Sequence, residues 1–115
     1  MRYLLLIHSD EEAWASASTE EREETYAGYG KVAREMEERG HMRGGDELAP
    51  PGSAKIVRSR GGEVGVTDGP YAETREQLGG YFLVECDLDT AIGYAAKLPA
   101  AAGGTIEVRA VVDGP

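Results

Sequence analysis

The chain has 115 residues, 41% of them hydrophobic and 29% charged, which is enough for one core and too little for two. Its 12 Lys+Arg stand against 21 Asp+Glu, a formal charge of -9, and the basic residues are scattered, so there is no basic face for direct DNA or RNA binding. A lone Cys rules out an internal disulfide and fits a reducing compartment. The opening apolar run Tyr3 to Ile7 is too short to cross a bilayer and is followed by acids rather than a cleavage-site pattern. A single cytoplasmic domain over residues 1–115 is expected, with no preceding domain and no membrane partner.

Taken in order, Tyr3-Leu4-Leu5-Leu6-Ile7-His8 is apolar at both parities of a strand, which predicts a central strand covered on both faces. Ser9 to Ala17 reads as a connecting loop. Ser18 precedes Glu21 by three residues, a capping box, and Glu23 and Glu24 suit the positive end of a helix dipole. The helix begun there carries Tyr26, Tyr29, Val32 or Ala33, and Met36 as one apolar stripe, the two tyrosines reading as core packing or as a phenol reaching the cleft, and it ends at Arg39-Gly40. His41 to Leu48 is a strand interrupted by Gly44 and Gly45, and Pro50-Pro51-Gly52 closes it. Ala54 to Arg58 and Glu63 to Thr67 flank Arg60-Gly61-Gly62 as a tight hairpin. Tyr81 to Cys86 is the second strongly apolar strand. Asp87 caps a helix bearing Leu88, Ala91, Ile92, Ala95 and Leu98 on one side, and Pro99 stops it. Ala100 to Gly104 reads as a loop, and Thr105 to Val112 alternates as a last strand. The order predicts an α+β, ferredoxin-like plait: an antiparallel sheet with two helices on one face.

Between the hairpin and the second apolar strand lies a polar connection from Thr67 to Gly80, longer than a small domain ordinarily uses. Asp68-Gly69-Pro70-Tyr71-Ala72-Glu73-Thr74-Arg75-Glu76, followed by Gln77-Leu78-Gly79-Gly80-Tyr81, resembles the signature of the DGPF group of YCII-related proteins, with Tyr71 where the group's name has Phe. The likeness extends to Met1-Arg2-Tyr3-Leu4-Leu5-Leu6-Ile7, Leu88-Asp89-Thr90-Ala91, Leu98-Pro99-Ala100 and Ile106-Glu107-Val108-Arg109, and so covers nearly the whole chain. The resemblance implies a dimeric α+β barrel and, because members of the group are often encoded beside extracytoplasmic-function sigma factors, a regulatory setting without DNA contact. Some YCII-related proteins have a proposed His and Asp pair with the His in the first helix. Here Tyr26 and Tyr29 occupy that region, and the assignment does not carry across.

The residues themselves leave alternatives open. Asp68 is a candidate acid or base, a partner orienting Arg75, or only the carboxylate that ties down the Gly69-Pro70 turn. Arg75 either holds an anionic ligand or forms an ion pair within the loop or between subunits. Asp46 and Glu47 either join Asp68 as interacting carboxylates or stay solvated. His8, two residues before Asp10, is a catalytic imidazole or a strand-end residue, and His41 serves the helix dipole. Cys86 reads as a small core residue. Two His and one Cys at no ligand spacing give no zinc site, and no glycine pattern cradles phosphate, so neither metal nor cofactor is expected. The signature residues carried over by resemblance are Asp68, Gly69, Pro70, Glu73 and Arg75, with Arg109 near the end.

Helices on one face leave the other face of the sheet bare, and a second copy of the chain is the economical cover, with Glu85 and Arg109 pointing into the cleft between the sheets. Two functions follow. One is a homodimeric binding or accessory module for a small anionic or aromatic metabolite, held by Arg75, Glu73, Arg109, Glu47 and Tyr71. The other is a cofactor-free enzyme in which Asp68 or His8 moves a proton on a small carboxylate or enolisable substrate.

Overall fold

A computed structural model describes residues 1–113 of the protein. Four strands form one antiparallel sheet in the order β2 (Met42–Glu47), β5 (Glu76–Glu85), β1 (Arg2–Asp10) and β6 (Thr105–Ala110). Leaving aside the inserted hairpin β3 (Lys55–Arg60) and β4 (Glu63–Asp68), this is the ferredoxin-like order. β1 is central, paired with β5 on one edge and β6 on the other.

Its alternate residues Tyr3, Leu5 and Ile7 are buried with Val84 of β5 against the long helices α2 (Thr19–Glu38) and α3 (Leu88–Lys97), whose core residues are Val32 and Met36, and Ala91, Tyr94 and Ala95. Full burial of one Leu- or Met-sized side chain contributes about 1.5–3 kcal/mol, so this layer is the source of the fold's stability. Leu4, Leu6, Tyr81 and Leu83 have the opposite parity and are only partly buried, on a face that no helix among the described residues covers.

The helix caps follow the sequence. Ser18 Oγ accepts from the Glu21 amide at 3.1 Å, and Asp87 Oδ1 accepts from the Thr90 amide at 2.7 Å. Gly61 and Gly62, at φ 57° and 83°, make the hairpin turn that only residues tolerant of positive φ build cheaply. The hairpin stands apart from the main sheet, with Val57, Val64 and Val66 on one of its faces and all more than half exposed.

Several expectations are corrected. Ser9 to Ala17 is not a loop: β1 runs on to Asp10, whose carboxylate accepts from the Ala13 amide at 3.2 Å and caps a short helix, α1 (Glu11–Ser16). The connection from Thr67 to Gly80 shrinks to residues 69–75, because Glu76 to Gly80 join β5 and pair with the end of β1. Pro99 ends α3 but opens α4 (Ala100–Gly103), since a proline lacks only an amide that a first helical turn leaves free. β6 stops at Ala110, opposite Tyr3, and Val112 beyond it is 88% exposed. On α3, Tyr94 takes the core position while Leu88 and Ile92 are about half exposed, lying at the margins of the stripe that Ala91, Ala95 and Leu98 define. No helix among the described residues is long and apolar enough to cross a membrane.

Candidate functional site

The sheet's helix side holds an open cavity of about 880 Å³ beside the core. Its walls are α1, the first half of α2, the run from the end of β2 to Pro50, Gly79 to Phe82 of β5, and the Pro99–Gly104 segment. Strand β1 shifts register between Ile7 and His8, skipping Gly79, and a Cβ on Gly80 would lie 2.9 Å from the Asp46 carbonyl oxygen. The glycine pair therefore lets backbone form the floor where side chains would have filled it.

Aromatic rings make the walls. Trp14 of α1 and Tyr26 of α2 meet edge to face, centroids 5.4 Å apart at 87°, and Tyr29 lies 6.5 Å from Phe82. The Tyr26 hydroxyl donates to both oxygens of Glu47, at 3.1 and 2.9 Å, tying α2 to the end of β2. That hydrogen bond and the carboxylate's charge raise the Tyr26 pKa, so the phenol remains a proton donor. Arg22 is already engaged: its Nε and Nη2 donate to the Trp14 carbonyl at 3.3 and 3.0 Å, Nη2 also reaches the Ala15 carbonyl at 3.0 Å, and the guanidinium lies 5.3 Å from the Trp14 ring centroid. These bonds hold the exposed end of α1 against α2.

The residues singled out from the sequence disperse. Asp68 ends β4, where its carboxylate accepts from Lys55 Nζ across the hairpin rather than from Arg75 or from the backbone of its own turn. The Gly69–Pro70 peptide after it is cis. Arg75, 88% exposed, donates from Nε to Asp10 Oδ2 at 3.0 Å. Tyr71 and Glu73 are exposed on the same loop.

That loop is closed by Gln77, whose amide donates to the carbonyls of Ala72 and Thr74 at 2.8 and 2.9 Å, and by Thr74 Oγ1 donating to the Glu76 carbonyl at 2.7 Å. His8 Nε2 lies 3.5 Å from Glu107, not beside Asp10, and Arg109 Nε lies 3.3 Å from the same Glu107 carboxylate, all on the open face. Glu85 points to that face as its parity requires, and there it meets Arg43 at 3.1 Å.

Asp46, Glu47 and Asp68 are not brought together: Asp46 accepts from Tyr81, Glu47 from Tyr26 and Asp68 from Lys55. Neighbouring residues on a strand point to opposite faces, which separates the first two. Of the candidate set, Asp46 and Glu47 border the cavity, but only Glu47 turns its carboxylate to the Tyr26 side, Asp46 being turned to Tyr81, and Arg75 adjoins the edge through Asp10. His41 Nδ1 is 2.7 Å from the Tyr94 hydroxyl, and partial burial pushes the Cys86 thiol up, away from nucleophilic use.

The sequence alone places Trp14 in a loop and Tyr26 on the core stripe, with a phenol reaching the cleft as the alternative. The run Asp10-Glu11-Glu12, an N-cap followed by acids, was the available signal for α1 and hence for the position of Trp14. Among the described residues no three His, Cys, Asp or Glu side chains converge to hold a metal ion.

Residues 1–114 match the YCII-related domain. An uncharacterised protein of Rhizobium meliloti is 38% identical over 112 residues, spanning 95% of this chain and 90% of that protein.

The Asp10–Arg75 pair generates a pH dependence. Asp10 is held below its ordinary carboxylate range, first by the Arg75 hydrogen bond and then by the Ala13 amide. A folded pKa below the unfolded one gives stabilisation that is present above the unfolded value, about 3.9, and is lost as pH falls through the lower folded value. Arg75→Ala is expected to move the Asp10 carboxyl resonance midpoint upward in an NMR titration. An unchanged midpoint means the pair does not form in solution.

Proposed function

This chain belongs to the YCII-related family, and from that premise we propose that it is a homodimeric small-molecule-binding module whose ligand site is the aromatic cavity between α1, α2 and the sheet. The observation that carries the reading is the pairing of Tyr26 with Glu47 beside a space of about 880 Å³ walled by Trp14, Tyr26, Tyr29 and Phe82. Cavities of this size with an apolar lining and a few fixed polar groups are what small ligands use. The signature loop, by contrast, spends Gln77, Thr74 and Arg75 on its own closure and on Asp10.

The homodimer part of the proposal is supported by the uncovered face bearing Leu4, Leu6 and Leu83, rimmed by the ion pairs Arg43–Glu85 and Arg109–Glu107. An apolar centre with a polar rim is the anatomy of an interface. The regulatory setting implied by the family resemblance, beside a sigma factor and without DNA contact, belongs to the same proposal and is supported by the net charge of -9. The enzymatic alternative through Asp68 or His8 has less support, since Asp68 lies on the hairpin and His8 on the face opposite the cavity.

A thermal-shift screen against small aromatic metabolites tests the site. At about a hundred times its Kd a ligand stabilises the native state by about 2.7 kcal/mol, a clear rise in Tm for a domain of this size. The wild type and Arg75→Ala are expected to respond alike, and Trp14→Ala to lose the response. Retention by Trp14→Ala with loss in Arg75→Ala would move the site to the loop. For the dimer, Leu83→Asp is expected to halve the mass seen by sedimentation while leaving the circular dichroism intact. An unchanged mass contradicts face-to-face assembly.

A further inference from the structure

We propose that the cavity selects a small organic cation, an amine carried on a flat apolar body, with Glu47 meeting the ammonium group. This rests on the cavity being the ligand site, and deepens that reading by giving the ligand its charge.

The aromatic walls alone admit ligands of any charge, so the polar groups decide. The charged side chains of the lining residues on this side of the sheet are Asp10, Glu11, Glu21 and Glu47 against a single Arg22, the Asp46 carboxylate turning to Tyr81 on the opposite face. Asp10 is neutralised by Arg75 at 3.0 Å, whereas Glu47 enters no ion pair among the described residues and receives one neutral donor, the Tyr26 hydroxyl. A carboxylate offers about four acceptor sites on two oxygens, so one hydroxyl leaves most of Glu47 available.

The single cation cannot serve a ligand carboxylate with its usual two-pronged contact. Arg22 donates through Nε and Nη2 to the backbone carbonyls of Trp14 and Ala15, and breaking those bonds would release α1 and its aromatic wall. An anion entering here would meet uncompensated negative charge and no free fork, while an ammonium would find a carboxylate and the faces of aromatic rings, which attract cations through their quadrupoles.

The arrangement also fixes orientation. Tyr26 bridges wall and carboxylate, so a ligand whose ring packs on the Trp14–Tyr26 corner presents its charged end toward Glu47. The Tyr26 hydroxyl, donating to both oxygens at 3.1 and 2.9 Å, holds the Glu47 carboxylate in position beside the rings.

Trp14 is the protein's single tryptophan and lines this cavity, so its fluorescence is a local probe of the site. Three probes of similar size are titrated: phenethylamine, hydrocinnamate and phenethyl alcohol. Saturable quenching by phenethylamine is expected, weakening as salt is raised, with hydrocinnamate silent and phenethyl alcohol weaker. Glu47→Gln keeps an acceptor for Tyr26 and so preserves the fold. It is expected to lower affinity for phenethylamine by about tenfold or more while leaving phenethyl alcohol unchanged.

If hydrocinnamate or phenethyl alcohol binds as tightly as the amine, or Glu47→Gln keeps the amine's affinity, the charge selection is overturned and the cavity stands as a ligand site of another class. If none of the three probes alters Trp14 emission, the cavity reading falls and the amine inference falls with it.

Discussion

The nine-residue pairing of β1 is the constraint on which the rest depends. Flanked by β5 and β6, the strand cannot shift without turning every side chain to the wrong face, so Tyr3, Leu5 and Ile7 commit one side of the sheet to the helices and Leu4 and Leu6 commit the other to an uncovered face. Its far end matters as much. Because pairing persists to Asp10, that residue caps α1, α1 places Trp14 against Tyr26, and β5 must extend back to Glu76 through the bulge at Gly79. The cavity is therefore a by-product of the strand's length: a short helix displaced over a floor of glycine backbone.

Two polar systems sit on this frame with different consequences. The loop that identifies the family is closed on itself, with Gln77 and Thr74 satisfying its carbonyls, Arg75 given to Asp10 and Asp68 to Lys55. Such a segment holds a shape and leaves little bonding capacity for a ligand. In the cavity the Tyr26–Glu47 contact joins helix to strand yet leaves carboxylate oxygens with acceptor capacity beside exposed rings. A stretch that is specific as a signature and a stretch with open bonding capacity are separate properties, and in this chain they fall in different places.

Much of the frame was legible because its causes are local. The Ser18 and Asp87 caps, the Gly61-Gly62 turn and the double-sided apolar runs of β1 and β5 act within a few residues of one another, and their parity also placed Glu85 and Arg109 on the open face. The missed elements have no such local cause. Glu76 to Gly80 carry no apolar alternation and become strand only because β1 continues beside them, and α1 is too short to show a period. The site was harder still. Tyr26 falls on the same helical spacing as Tyr29, Val32 and Met36, yet it is 49% exposed because the α2 stripe overruns the edge of the core and continues into the cavity. Nothing in the spacing distinguishes a ring buried against the sheet from one left to wall a pocket. Likewise, the partners of Asp68, Arg75 and His8 are set by strand pairing and loop closure, not by proximity in sequence.

The proposed ligand site is the aromatic cavity and not the signature loop. Mapping amide and indole shifts by two-dimensional NMR as phenethylamine is added tests it most directly. The account predicts movement at the Trp14 indole, at Glu47 to Ala49 and at Gly79 and Gly80, with residues 69–75 unmoved. Shifts concentrated in residues 69–75 or on the open face at Leu4, Leu6 and Leu83, with the Trp14 indole unchanged, would contradict it.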